Sequence, residues 1–218
     1  MAESLAPTRA VDRALGLLAA AVGQPSTLTE LARGAELAPS TASRLLGALQ
    51  RHGFVRRGDD GRFRSGPQLV RIAAATLRAE PAYELAGPHL TALSEATGET
   101  ASLGVRADRQ GVVYLRQSAS PRTVRAESWV GRSIPLRGTA IGAALRGDVG
   151  AEGFAVVSAA VEPDVTAIAA PFRDHSEAIA GALSITAPTY RTSGEDAAAH
   201  GRAVVQHANE LSRELGAA

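Results

Sequence analysis

Apolar residues recur at helical spacing from the start of the chain. Val11, Leu15, Leu18 and Val22 predict a helix over Thr8 to Val22, ended by Gly23-Gln24-Pro25-Ser26. Thr27 and Glu30 make a Thr-x-x-Glu capping box, so a short helix follows to about Gly34, burying Leu28, Leu31 and Ala32. A tight connection through Glu36-Leu37-Ala38 leads to Pro39, whose fixed φ and missing N–H suit the first position of another helix. That helix should reach His52 and stop at Gly53. Ala42, Leu45, Leu46 and Leu49 make its buried stripe, leaving Ser40, Thr41, Ser43 and Arg44 on the amino-terminal end of the other face. Beyond Gly53, Phe54 to Arg57 and Arg62 to Arg64 flank a turn at Asp59 to Gly61 and predict a hairpin with arginines on its arms.

Ser65-Gly66-Pro67 breaks the pattern, and Leu69, Ile72, Ala73 and Leu77 predict a helix over Gln68 to Ala79. It reads as a linker helix outside the small core, or as a fourth helix of that core. Pro81 marks a boundary. Leu85, Leu90, Leu93 and Ala96 predict a helix over Ala82 to Thr97, with an irregularity at Gly87-Pro88 and a stop at Gly98. Strand-like stretches follow at Ala101 to Val105, Val112 to Leu115, Thr123 to Trp129, Val165 to Phe172 and Ile179 to Thr186. Between the third and fourth, Gly138 to Leu145 reads as a loop entering a short helix. Glu195 to Leu215 closes the chain as a helix burying Ala197, Val204, Val205, Ala208, Leu211 and Leu215. The fold class is therefore α+β: an N-terminal winged helix-turn-helix over 1–66, a linker helix over 67–80, and a C-terminal α/β sandwich over 81–218 with a mainly antiparallel sheet.

Two helices across a short turn, followed by a basic hairpin, point to duplex DNA as a partner. Charge sharpens this. Ser40 to Arg64 holds six Arg and two Asp, a local +4 in a chain of net +1. Residues 1–80 carry +4 and residues 81–218 carry −3, so the first half is the one suited to nucleic acid. In the recognition helix, Ser40, Thr41 and Ser43 can donate to or accept from base edges, and Arg44 can clamp a guanine or hold a phosphate. Thr29 lies at the start of the preceding helix, while Arg62 and Arg64 on the wing suit phosphates or a narrow minor groove.

All 23 basic residues are Arg, which excludes lysine Schiff-base and P-loop chemistry, and the absence of Cys excludes disulfides and thiolate sites. No leader is seen at Met1 to Pro7 and no apolar run approaches about 18 residues, so a cytoplasmic protein without membrane spans is expected. There is no nucleophile elbow, no Gly-x-Gly-x-x-Gly and no metal triad, so neither an enzyme nor a cofactor is expected. His89, His175, His200 and His207 show no ligand spacing with partner acids, and no metal site is assigned.

With both halves laid out, the chain resembles the isocitrate-lyase-regulator (IclR) family of bacterial transcription factors over nearly its whole length. Arg13-Ala14-Leu15, Leu28-Thr29-Glu30-Leu31-Ala32, Ser40-Thr41-x-x-Arg44-Leu45-Leu46 and Gly61-Arg62-Phe63 carry the likeness in the DNA-binding half. Pro88-His89-Leu90, Thr97-Gly98-Glu99-Thr100, Val130-Gly131-Arg132, Pro135-Leu136, Thr139-Ala140-x-Gly142, Pro163-x-Val165, Ile168-Ala169-Ala170-Pro171 and Leu183-Ser184-Ile185 carry it in the other. The resemblance implies a GAF-like effector domain, dimers held through the DNA-binding half and linker helix, often tetramers, and small organic acids or aromatic catabolites as ligands. Its effector site would take in Gly131, Thr139, Ala140, Ile141, Gly142, Ala167, Ser184 and Thr186. This chain departs from the family pattern where Leu145 to Gly150 runs almost directly to Gly153-Phe154-Ala155-Val156, where Val157 and Ser158 replace a common acidic residue, and where Ala167 stands in a position often held by Cys.

The backbone N–H groups of Thr139 to Gly142 at a helix start offer a seat for a carboxylate, and Ser184 and Thr186, two apart, share one strand face. The function expected is a DNA-binding regulator whose operator affinity is set by a small organic acid. The alternative is a constitutive DNA binder whose C-terminal half serves only oligomerisation. Trp129, the only tryptophan, is expected in a core or an interface, with a pocket wall as the alternative.

Overall fold

The computed structural model describes residues 8–217; the reading of Met1 to Pro7 as leaderless falls outside them. By its internal contacts the chain divides into two units, Met1–Ala79 and Glu80–Ala218.

In the first unit, helices α1 (Arg9–Gly23), α2 (Leu28–Gly34) and α3 (Pro39–Arg51) precede the hairpin strands β1 (Val55–Arg57) and β2 (Phe63–Ser65), and α4 (Pro67–Arg78) closes it. The capping box of α2 is formed: the Thr27 N–H donates to Glu30 Oε2 at 2.7 Å and the Glu30 N–H to Thr27 Oγ1 at 3.3 Å. Leu17, Leu31, Ala42, Leu46, Val55 and Phe63 meet in one apolar cluster. The face of α1 differs from expectation. Leu17 and Ala21 are buried, while Val11, Leu15 and Val22 are about half exposed (52%, 56% and 47%). Apolar side chains encircle most of this helix, so periodicity alone does not select the face that packs. Ser26 and Phe63 exchange backbone hydrogen bonds at 3.2 and 2.7 Å and add a third, one-residue strand to the wing. None of α4's residues is buried, which fits a helix outside the compact core.

The second unit opens with α5 (Pro81–Thr97) and then builds a six-stranded sheet in the order β5-β4-β3-β8-β7-β6, every neighbouring pair antiparallel. The strands are β3 (Thr100–Arg106), β4 (Gly111–Ser118), β5 (Ser133–Pro135), β6 (Ala155–Ser158), β7 (Val165–Arg173) and β8 (Ile179–Pro188). Helix α6 (Ala140–Arg146) lies between β5 and β6, and α7 (Gly194–Glu214) ends the unit. Strand alternation sorts the two faces. Ala101, Leu103, Ile168, Phe172, Leu183 and Ile185 pack with α5 and α7. Val112, Tyr114, Ala169 and Ala182 pack with α6 on the other face. Gly104 lets α6 close in, since a Cβ there would sit 2.3 Å from Ile141 Cδ1.

Two expectations need correction. Thr123 to Trp129 forms no strand; Val130 makes a single bridge to Tyr114. Side chains hold this segment instead: Arg191 donates to the Val124 carbonyl at 3.2 Å, and Gln117 Oε1 accepts from the Trp129 N–H at 3.2 Å. Helix α5 runs unbroken through Gly87-Pro88. Pro88 lies on the exposed side, where a carbonyl left without its donor can be hydrated.

Candidate DNA interface and ligand cavity

Pro39 starts α3, and burial of Ala42 and Leu46 fixes its rotation, which leaves Ser40, Ser43 and Arg44 exposed and Thr41 half-buried. Thr29 is exposed on α2. The Arg44 guanidinium makes no hydrogen bond or ion pair among the described residues, so its five donors are available to a base edge or phosphate.

The wing arginines are differently placed. Arg62 Nη1 donates to the Pro25 carbonyl and to Glu30 Oε2, both at 3.0 Å. Arg64 holds Asp60 in a two-pronged pair at 2.8 and 2.5 Å. The Arg64 side chain beside it is the main cause that keeps the Asp60 carboxyl well below the usual range. Arg57 lies over the Phe63 ring, 5.6 Å from its centre, and donates to the Gly61 carbonyl. The wing is thus internally braced, and Arg62 and Arg64 reach a phosphate only by sharing or leaving these partners.

In the second unit, the sheet face opposite α5 and α7 holds a cavity of about 50 Å³. Trp129, Ile134, Ile141, Val157 and Val165 supply apolar walls, and Ser102, Tyr114, Thr139 and Thr186 supply hydroxyls. No cationic side chain lines it, and Glu162 is its one carboxylate, accepting from Trp129 Nε1 at 3.2 Å. Arg132 stacks on the outer side of the tryptophan, 5.3 Å from the ring centre. Burial pushes the Tyr114 phenol up to about 12, opposed in part by the neighbouring Ser184 hydroxyl.

Of the expected effector residues, Thr139, Ala140, Ile141, Ala167 and Thr186 line the cavity together; Gly131, Gly142 and Ser184 do not. Gly131 is exposed in a turn of positive φ. Gly142 has a packing role: a Cβ there would fall 1.9 Å from the Leu136 carbonyl oxygen. Its N–H already donates to Thr139 Oγ1 at 3.2 Å, so of the four N–H groups offered to a carboxylate this one is spent on the helix's own cap. Ser184 is buried with no well-formed hydrogen bond to its hydroxyl. Trp129 takes the pocket-wall role held open for it, and Tyr114, Ser102 and Glu162 join it unforeseen. The alternation of β3 and β4 marks which side Ser102 and Tyr114 face; nothing local marks Glu162.

The histidines also depart from expectation. His89 of α5 and His207 of α7 meet with Nδ1 atoms 3.0 Å apart, although 118 residues separate them. Two helices on one sheet face bring them together, which linear spacing does not reveal.

Residues 10–59 match the family profile described as the IclR helix-turn-helix domain, and residues 74–146 and 148–213 match the bacterial transcriptional regulator IclR C-terminal domain. The chain belongs to the IclR family. It is a DNA-binding transcription regulator with an effector-binding C-terminal domain. It is 31% identical to the HTH-type transcriptional regulator BhcR of Paracoccus denitrificans, over 97% of this chain and 88% of that one. Against XynR of Escherichia coli the identity is 27%, over 95% and 97%. Among solved structures, an IclR transcriptional regulator from Silicibacter superimposes with TM-score 0.80 at 24% identity, covering 96% of this chain and 97% of that one. An IclR homologue of Microbacterium hydrocarbonoxydans crystallised with 4-hydroxybenzoate gives TM-score 0.75 at 21% identity, covering 94% and 99%. At these identities the structural likenesses establish the shared fold.

Among the described residues no helix is long and apolar enough to cross a membrane.

Proposed function

We propose that this IclR-family regulator acts in the cytoplasm, not as an enzyme, and reads operator DNA as a homodimer, and that a small carboxylate in the cavity of the second unit sets its affinity. The division into a DNA-binding half over 1–66, a linker helix over 67–80 and an effector half over 81–218 belongs to the same reading. Ser40, Thr41, Ser43 and Arg44 of α3 face the major groove, Thr29 contacts the backbone, and Arg62 and Arg64 hold phosphates on the wing. Dimerisation is supported by exposed apolar residues on α1 (Val11, Leu15, Val22) and α4 (Val70, Ile72). Two-fold symmetry doubles the readout of one short helix.

The observation that carries the effector reading is a cavity at the start of α6 that combines apolar walls with hydroxyls from Ser102, Tyr114, Thr139 and Thr186. With no cation in the wall, a carboxylate would be held by the Ala140 and Ile141 N–H groups together with the Thr186 hydroxyl, since the Thr139 hydroxyl already donates to the Pro135 carbonyl at 2.9 Å. Glu162 favours a ligand that also carries a hydroxyl to donate. Short hydroxy acids and small hydroxyaromatic acids meet both demands, and 4-hydroxybenzoate in the Microbacterium homologue is of this class. Ser184 lies behind the wall, beside Tyr114, and reaches a ligand only through that phenol.

Calorimetry with such acids on the wild type, Thr186→Val and Ser184→Ala, paired with operator-binding measurements, tests this reading. Saturable heat that falls in Thr186→Val and shifts DNA affinity supports it. Equal heats in Ser184→Ala would remove that residue from the site. No heat with any acid would favour a constitutive binder. Light scattering that shows a monomer at micromolar concentration, with and without DNA, would remove the dimer.

A further inference from the structure

On the sheet face opposite the cavity, α5 and α7 bring three ligating atoms to one point. His89 Nδ1 and His207 Nδ1 are 3.0 Å apart, His207 Nδ1 lies 3.5 Å from Glu210 Oε2, and His89 Nδ1 lies 3.8 Å from the same oxygen. Bonds of about 2.0–2.1 Å to a central ion set neighbouring ligand atoms about 2.9 Å apart in an octahedron and about 3.4 Å apart in a tetrahedron. The three separations therefore approximate one face of a first-row metal's coordination shell.

The outer atoms of two of these ligands are held as metal ligands usually are. His89 Nε2 lies 3.4 Å from Glu214 Oε1, a carboxylate placed to orient the ring with Nδ1 facing His207. Gln206 Nε2 donates to Glu210 Oε1 at 3.0 Å, leaving Oε2 to face the imidazoles. His89 is buried and His207 and Glu210 are partly buried, so the point is sheltered yet open on the carboxylate side.

We propose that His89, His207 and Glu210 bind a divalent transition-metal ion of the zinc, cobalt or nickel class, with Glu214 and Gln206 orienting the ligands. Two imidazoles and one carboxylate suit these borderline ions better than magnesium or calcium, which favour oxygen. Water completes the shell from the open side. The ion joins the first and last helices of the second unit.

The test uses the full-length protein, stripped with a chelator and titrated with Zn²⁺ by calorimetry, and with Co²⁺ by visible absorption. One saturable ion per chain is expected, with cobalt bands of low-coordinate nitrogen–oxygen ligation and a higher melting temperature on loading. His207→Ala and Glu210→Gln should each weaken binding by roughly 100-fold or more, and Gln206→Ala by about 10-fold as an orienting residue. His175→Ala and His200→Ala should bind as the wild type does. Both lead variants change side chains that are not fully buried, and circular dichroism checks that they fold. Unchanged affinity in folded His207→Ala or Glu210→Gln, or no saturable ion in the wild type, overturns the proposal.

Discussion

Arg62 Nη1 lies 3.0 Å from Glu30 Oε2, so the wing is joined to the first turn of α2 by the same carboxylate that caps that helix. Both side chains are substantially exposed, which makes the pair weak in water and exchangeable for a phosphate. Glu30→Gln keeps the capping box, since glutamine serves at that position, and removes the competing charge. DNA affinity at low salt should rise, and the salt dependence should steepen by about one phosphate contact. Fluorescence-free methods such as filter binding across a salt series would show this; an unchanged slope would mean that Arg62 meets no phosphate.

Among the described residues the Arg44 guanidinium, near the amino-terminal end of α3, has no hydrogen bond or ion pair. Arg44→Ala should cost roughly 1–3 kcal/mol of operator binding and narrow the gap between specific and non-specific DNA, if it reads a base. Competition gel shifts with operator and random duplex distinguish this from a phosphate contact, which would weaken both alike.

The Tyr114 phenol should ionise only near pH 12 in the folded protein. Its ordinary value is about 10, so the folded state keeps a proton that the unfolded state releases. The resulting stabilisation is whole below pH 10 and is lost as pH rises from there through 12. Ultraviolet difference titration should show one late tyrosine that is absent in Tyr114→Phe.

Glu99 is 3% exposed and receives Arg191 Nη2 at 2.9 Å and Nε at 3.2 Å. Arg191 also ties down the Val124 carbonyl. Without Arg191 the buried carboxylate keeps only the longer pair to Arg122 Nε at 3.8 Å, so Arg191→Ala should lose up to about 3 kcal/mol. Arg191→Ala combined with Glu99→Gln should recover part of it. Urea unfolding of the single and double variants measures both.

What could be read from the sequence follows how local each cause is. The capping box of Thr27 and Glu30, Pro39 at a helix start and Gly98 at a helix end act within a few residues, and each stands as expected. Strands β7 and β8 read as short, nearly continuous apolar runs because helices cover both of their faces. Thr123 to Trp129 has strand-like composition, yet Arg191 and Gln117 claim its backbone from far along the chain. On α1, apolar residues on nearly every side hid the choice of Leu17 over Leu15. Thr139 and Thr186 were legible as cavity residues, whereas Gly142 belongs to packing and Glu162 enters through a loop after β6. His89 and His207 share no local signal at all.

The side chain of Trp129 forms part of the cavity wall, bonded to Glu162 and stacked under Arg132, and the chain contains no other tryptophan. Excitation at the red edge of the protein's absorption therefore addresses one indole at one place. A molecule that enters the cavity displaces water from that ring or breaks its bond to the carboxylate, and the emission must change in colour or yield. The regulator carries its own optical readout of occupancy, with no label to attach and no competing tryptophan signal to subtract.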